Sequence, residues 1–151
     1  MKILLATDGS EFSRPAIDRC CEIVGLRSDV SVRIVSVYEA QIPMAAEPFA
    51  VSGEFYQKLD ELAEQRARFA ADKAAERLRS LCPNESLEIT TVVQLGIPAE
   101  VIIESAEAWE ADLIIVGSHG RGFWGRLTLG SVSDAVVHHA SCSVLVVRTP
   151  R

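Results

Sequence analysis

The sequence predicts an α/β fold, an open five-stranded parallel sheet with helices on both faces. Two observations predict it. Short apolar segments alternate with segments of helical period, five of the first and four of the second, which is the order that builds parallel βαβ units. Leu113-Ile114-Ile115-Val116 is an unbroken apolar run, as expected of a strand covered on both faces. Right-handed crossovers then fix much of the topology. In the order 3-2-1-4-5, strands one and four become neighbours where the winding reverses, and ligands of such sheets bind beyond the carboxyl ends of the strands at that reversal.

Each element has its own local reason. Lys2–Thr7 is the first strand, ended by the turn chemistry of Asp8-Gly9-Ser10. Ser13 is placed to cap the first helix and Pro15 fits its first turn, with Ala16, Ile17, Cys20 and Val24 at helical spacing. Val30–Tyr38 is rich in β-branched residues and reads as the second strand. Residues 39–53 carry Pro43 and Pro48 without a period and read as a long loop. Phe55–Leu81 is the longest helix, with a stripe of Leu59, Leu62, Ala63, Ala67, Ala70, Ala74, Leu78 and Leu81. Leu87–Leu95 is the third strand. Gly96 turns the chain and Pro98 starts a helix whose inner side is Ile102, Ile103, Ala106 and Trp109. The fourth strand follows, then a glycine-rich loop over Gly117–Leu129. The last helix runs from Gly130 to about Ala140, with Val132, Ala135, Val136 and His139 on one face, and Val144–Val147 is the fifth strand.

Composition limits the function. With 151 residues, 48% hydrophobic and 24% charged, residues 1–151 form one globular domain rather than a disordered chain, a collagen or a small disulfide scaffold. The net charge of −6, from 15 Lys+Arg against 21 Asp+Glu, argues against nucleic acid and anionic membrane surfaces as partners. Asp8 interrupts the chain too early for the apolar core of a signal peptide, so the expected compartment is cytoplasmic. Cys20, Cys21, Cys82 and Cys142 lack metal or redox spacing and read as small buried hydrophobes. A vicinal-thiol switch at Cys20-Cys21 has little behind it.

The chemistry concentrates after the fourth strand. Gly117 and Gly120 let a ligand approach the backbone. Gly130 opens a helix whose first amides point outward with the positive end of the helix dipole, which suits a phosphate. Ser131 and Ser133 add hydroxyls, and Arg121 and Arg126 lie on the intervening loop. A glycine loop alone only makes turns, but this one follows a buried-type strand and precedes a helix. Asp8, at the end of the first strand, can accept ribose hydroxyls or hold a phosphate-bridging metal, with a turn aspartate as the competing reading. Val37 ends the second strand, where packing is the plainer role.

These residues resemble the universal stress protein family in its ATP-binding branch. The resemblance spans essentially the whole length. It is carried by K-I-L-L-A-T-D-G-S at the start, D-L-I-I-V-G-S-H-G-R-G at 112–122, L-G-S-V-S at 129–133 and C-S-V-L-V-V-R at 142–148. The family signature is G, two residues, G, nine residues, then G and Ser or Thr; Gly117, Gly120, Gly130 and Ser131 match it. The resemblance implies a Rossmann-like 3-2-1-4-5 sheet, ATP in the crevice with Mg²⁺ as a candidate companion, and a homodimer. It places Asp8 on the ribose, Ala6 and Val37 beside the adenine and Gly117 against the ribose. It puts His119, Gly120, Gly130, Ser131, Val132 and Ser133 around the phosphates. Ser143 departs from the family, where Pro often precedes the last strand.

Competing chemistries lack their residues. There is no G-x-x-x-x-G-K-[ST] loop and no G-x-G-x-x-G after the first strand. His138-His139-x-x-Cys142 has no second cysteine pair, and adjacent histidines point to different sides of a helix. No nucleophile, base and orienting group fall together, so the expected function is a nucleotide-responsive regulatory or stress-survival protein. The alternatives are an interaction protein with a vestigial pocket and a slow ATPase. The fifth strand, Val144–Val147, is an apolar sheet edge and the expected dimer contact.

Overall fold

The computed structural model describes residues 1–26, 29–40, 53–84, 86–118 and 129–148. Strands and helices alternate as β1 (Lys2–Ala6), α1 (Arg14–Val24), β2 (Ser31–Tyr38), α2 (Gly53–Leu81), β3 (Glu88–Leu95), α3 (Pro98–Trp109), β4 (Leu113–Gly117), α4 (Ser131–His139) and β5 (Ser143–Val147). The sheet order is β3-β2-β1-β4-β5 and every pair is parallel. β1 is central, with Leu5 opposite Ile34 of β2 on one side and Ile115 of β4 on the other.

Side chains alternate across a strand, and this divides the core in two. Ile3 and Leu5 join Ile17, Cys20 and Val24 of α1 and Ala71, Ala74 and Leu78 of α2. Leu4 and Ala6 join Val101, Ile102 and Ala106 of α3 and Val136 of α4. The sheet therefore has an α1/α2 face and an α3/α4 face. β5 forms one edge and its residues are only half-buried or exposed. No helix among the described residues is long and apolar enough to cross a membrane.

The helix faces differ from the sequence reading in instructive places. Of the α2 stripe, Ala67, Ala70, Ala74 and Leu78 are buried, joined by Ala71 and Ala75, while Leu62 and Leu81 are 42% and 44% exposed. A helix of 29 residues is about 44 Å long, whereas an eight-residue strand such as β2 spans about 26 Å. The helix outruns the sheet. In α3, Val101 takes an inner place, and Trp109 is half-buried with the Arg33 guanidinium 4.4 Å from its ring centroid. In α4, His139 is exposed, and Ser133 with Val136 supplies the buried face.

The cysteines need a correction. Cys21 and Cys82 are joined in a disulfide across 61 positions, with Cα atoms 5.8 Å apart. Side-by-side packing of α1 and α2 brings the two residues together, although neither sequence spacing nor an expected reducing compartment points to a bond. Cys20 and Cys142 are free. Cys20 does behave as a buried hydrophobe, and desolvation pushes its thiol up to about 12.

Candidate functional site

The crevice lies where β1 and β4, hydrogen-bonded neighbours, end at the winding reversal. On the β1 side, Thr7 N–H still donates to Val35 O (3.0 Å). The chain then turns at Gly9, whose φ is 73°, a conformation that favours glycine. Asp8 Oδ1 accepts from Ser10 N–H (3.0 Å) and from Ser10 Oγ (2.7 Å). That is an Asx turn, and it anchors the half-buried carboxylate just beyond β1.

A hydroxyl relay braces this turn. Gly9 N–H donates to Thr7 Oγ1 (3.1 Å), Thr7 Oγ1 lies 3.0 Å from Ser13 Oγ, and Ser13 Oγ donates to Ser10 O (2.9 Å). Ser13 is therefore a brace rather than the expected side-chain cap; it sits in the helical region at φ −84° and ψ −17° and makes no capping hydrogen bond.

On the β4 side, Ser118 is buried and ties three elements together. Its N–H donates to Val147 O of β5 (2.8 Å), and its carbonyl accepts from Gly130 N–H (2.8 Å). Ser133 Oγ, 2% exposed as a residue, lies 3.1 Å from that carbonyl and 3.0 Å from Gly130 O. The ends of the loop between β4 and α4 are thus clamped beside the sheet. Gly130 is the N-cap of α4, extended at φ −67° and ψ 156°, and no side chain among the described residues caps the helix. The first intrahelical bond is Asp134 N–H to Gly130 O (2.9 Å). The amides of Ser131, Val132 and Ser133 precede it and carry the positive end of the dipole.

Ala6 and Val37 belong to the α3/α4 side of the core, the side on which α4 begins. The described structure thus brings Ala6, Asp8, Val37, Gly117 and Gly130–Ser133 to the carboxyl ends of the inner strands. His119 and Gly120 lie outside the described residues, as do Arg121 and Arg126. The residues that sequence reasoning missed are Ser118 and the Thr7–Ser13 brace. A small polar residue directly after each of the two strands was the available signal. His138 and His139 are exposed, and His138 Nδ1 is 2.8 Å from Asp134 O.

The sequence profile of the Universal stress protein family matches residues 1–148. The chain belongs to that family. Among family relatives, it is 29% identical to Universal stress protein MJ0531 of Methanocaldococcus jannaschii over 151 residues, covering 99% of this chain and 83% of the relative. It is 27% identical to Universal stress protein Sll1388 of Synechocystis, covering 97% of both chains. Among solved structures, protein MJ0577 superposes with a TM-score of 0.80 at 26% identity, covering 99% of this chain and 96% of that one. UspA from Lactobacillus plantarum gives 0.79 at 25%, covering 98% and 97%. The fold is also that of an Arabidopsis thaliana family protein with AMP bound, at a TM-score of 0.67 and 17% identity, covering 99% and 92%.

Proposed function

We propose that this universal stress protein is of the ATP-binding kind and acts as a nucleotide-responsive regulatory or stress-survival protein. The observation that carries the reading is the uncapped start of α4 at Gly130, beside the crevice that Asp8 borders. Backbone amides at a helix start take phosphate oxygens without a dedicated cation. Asp8 supplies a carboxylate for the ribose or for Mg²⁺, whose ligands are oxygens. Ala6 and Val37 form an apolar flank for the adenine, Gly117 borders the ribose, and Ser131, Val132 and Ser133 receive the phosphates with His119 and Gly120. The fold holds AMP in the Arabidopsis protein, which is consistent with that arrangement. The chain acts as one domain. Its partner is a second copy, paired through the edge strand β5, where Val144–Val147 leave one row of backbone groups without a neighbouring strand among the described residues.

Calorimetric titration of the purified chain with ATP and Mg²⁺ tests the reading. Saturable binding that Gly130→Trp abolishes supports it. Absence of binding by the unsubstituted chain removes it in favour of an interaction protein with a vestigial pocket, and sustained phosphate release points to a slow ATPase.

A further inference from the structure

On the sheet face away from Ala6 and Val37, a groove of about 630 Å³ opens between the start of α1 and the middle of α2. Its floor is apolar. Ile17 and Ala74 belong to the α1/α2 core, and Phe69, 65% exposed, stands at the wall. Its charge runs against the rest of the chain. Arg14, Arg66, Lys73 and Arg77 line it, and no carboxylate does among the described residues, in a protein with a net charge of −6.

Two of these cations are already engaged. Arg77 pairs with Asp18 at 2.7 Å, and Lys73 pairs with Glu76 at 2.6 Å while lying 5.7 Å from the Phe69 ring centroid. Arg14 and Arg66 make no ion pair or hydrogen bond among the described residues. A guanidinium offers a planar fork of donors suited to phosphate or carboxylate oxygens.

We propose that this groove is a second binding site, for a small organic anion with an apolar body. The body lies on Ile17, Phe69 and Ala74, and the anionic head is held by Arg14 and Arg66. The site is separate from the crevice: its apolar floor belongs to the α1/α2 core, whereas Ala6 and Val37 belong to the α3/α4 core. Among the described residues, the two share the braced turn after β1, of which Thr7, Gly9, Ser10 and Ser13 line the groove. The inference stands whether or not the crevice takes nucleotide.

The test uses the full chain and 1-naphthyl phosphate as probe, with 1-naphthol and inorganic phosphate as controls. The expected result is saturable binding of the probe, with both controls weaker by about tenfold or more, since each lacks half of the recognition. Arg14→Ala with Arg66→Ala weakens the probe by about tenfold or more and leaves the melting temperature in place. Saturating ATP does not displace the probe, and Gly130→Asp retains it. Absence of saturable binding overturns the proposal. So does an affinity unchanged in the double variant, equal binding of inorganic phosphate, or displacement by ATP.

Discussion

The crevice and the groove share the turn after β1 and differ in what they offer an anion. At the crevice the donors are main-chain amides at the start of α4, held by Ser118 and capped by no side chain among the described residues. In the groove they are long side chains over an apolar floor. Main-chain donors are fixed by the fold and select by geometry, whereas exposed cations select by charge and are screened by salt. The faces behind them also differ. The α1/α2 side is stapled by Cys21–Cys82 and by Arg77–Asp18, while the described α3/α4 side is held by packing and by the Ser133 clamp.

The largest effect expected belongs to the staple. Closing a loop of 61 residues stabilises a chain by roughly 4 kcal/mol in the chain-entropy account. Urea unfolding of the oxidised chain, with and without a reductant, measures it. Cys82→Ala should lose a similar amount and become indifferent to the reductant. If oxidised and reduced chains unfold at the same midpoint, the α1/α2 face is held by packing as the other face is.

Next comes Gly130→Asp, which separates stability from binding at one position. The extended backbone at Gly130 suits any residue, and an aspartate there caps the helix, so stability changes by only a few tenths of a kcal/mol, in the favourable direction. The same carboxylate occupies the amides and repels phosphate, and ATP affinity should fall by about 100-fold, near 2.7 kcal/mol. Retained ATP affinity would place the phosphates elsewhere.

Ser133→Ala follows. It removes a buried hydroxyl lying between the carbonyls of Ser118 and Gly130, both of which keep a backbone donor, at a cost of about 0.5–1.5 kcal/mol in thermal or urea unfolding. It should also loosen the start of α4 and weaken ATP, while leaving 1-naphthyl phosphate bound. A loss of both ligands together would mean that the two regions are not independent.

Much of this architecture was legible in the chain. Strict alternation of strand and helix, with Leu113–Val116 apolar throughout, carried the parallel sheet, because a strand covered on both faces has no polar side to display, while its order came with the family resemblance. The bare start of α4 was legible because Gly130 has no side chain with which to cap. Sequence spacing could not reveal contacts made by helix packing. Cys21 meets Cys82 only because α1 lies along α2, and Arg14 meets Arg66 and Lys73 in one groove for the same reason. A partial sign was present, since Arg66, Lys73 and Arg77 recur at helical spacing on α2. Ser133 was read as a phosphate ligand from its place beside the first amides of α4 and from the family resemblance; which way its hydroxyl points depends on the path of Ser118, fifteen residues earlier.

The smallest effect concerns Asp18, and it sharpens the contrast most directly. Asp18 holds Arg77 through Nε at 2.8 Å and Nη2 at 2.9 Å, with both side chains 43% exposed. An exposed pair of this kind contributes up to about 1 kcal/mol, so Asp18→Asn should barely move the urea midpoint. It also releases the Arg77 guanidinium at the groove wall. If the groove works by side-chain charge, 1-naphthyl phosphate should bind about two- to threefold more tightly to this variant at low salt, with the gain fading as salt screens it. ATP affinity should not change, because the crevice draws on the amides of α4 and not on this cation. A parallel gain for ATP would mean that one field serves both regions, and the division between main-chain and side-chain recognition would fail.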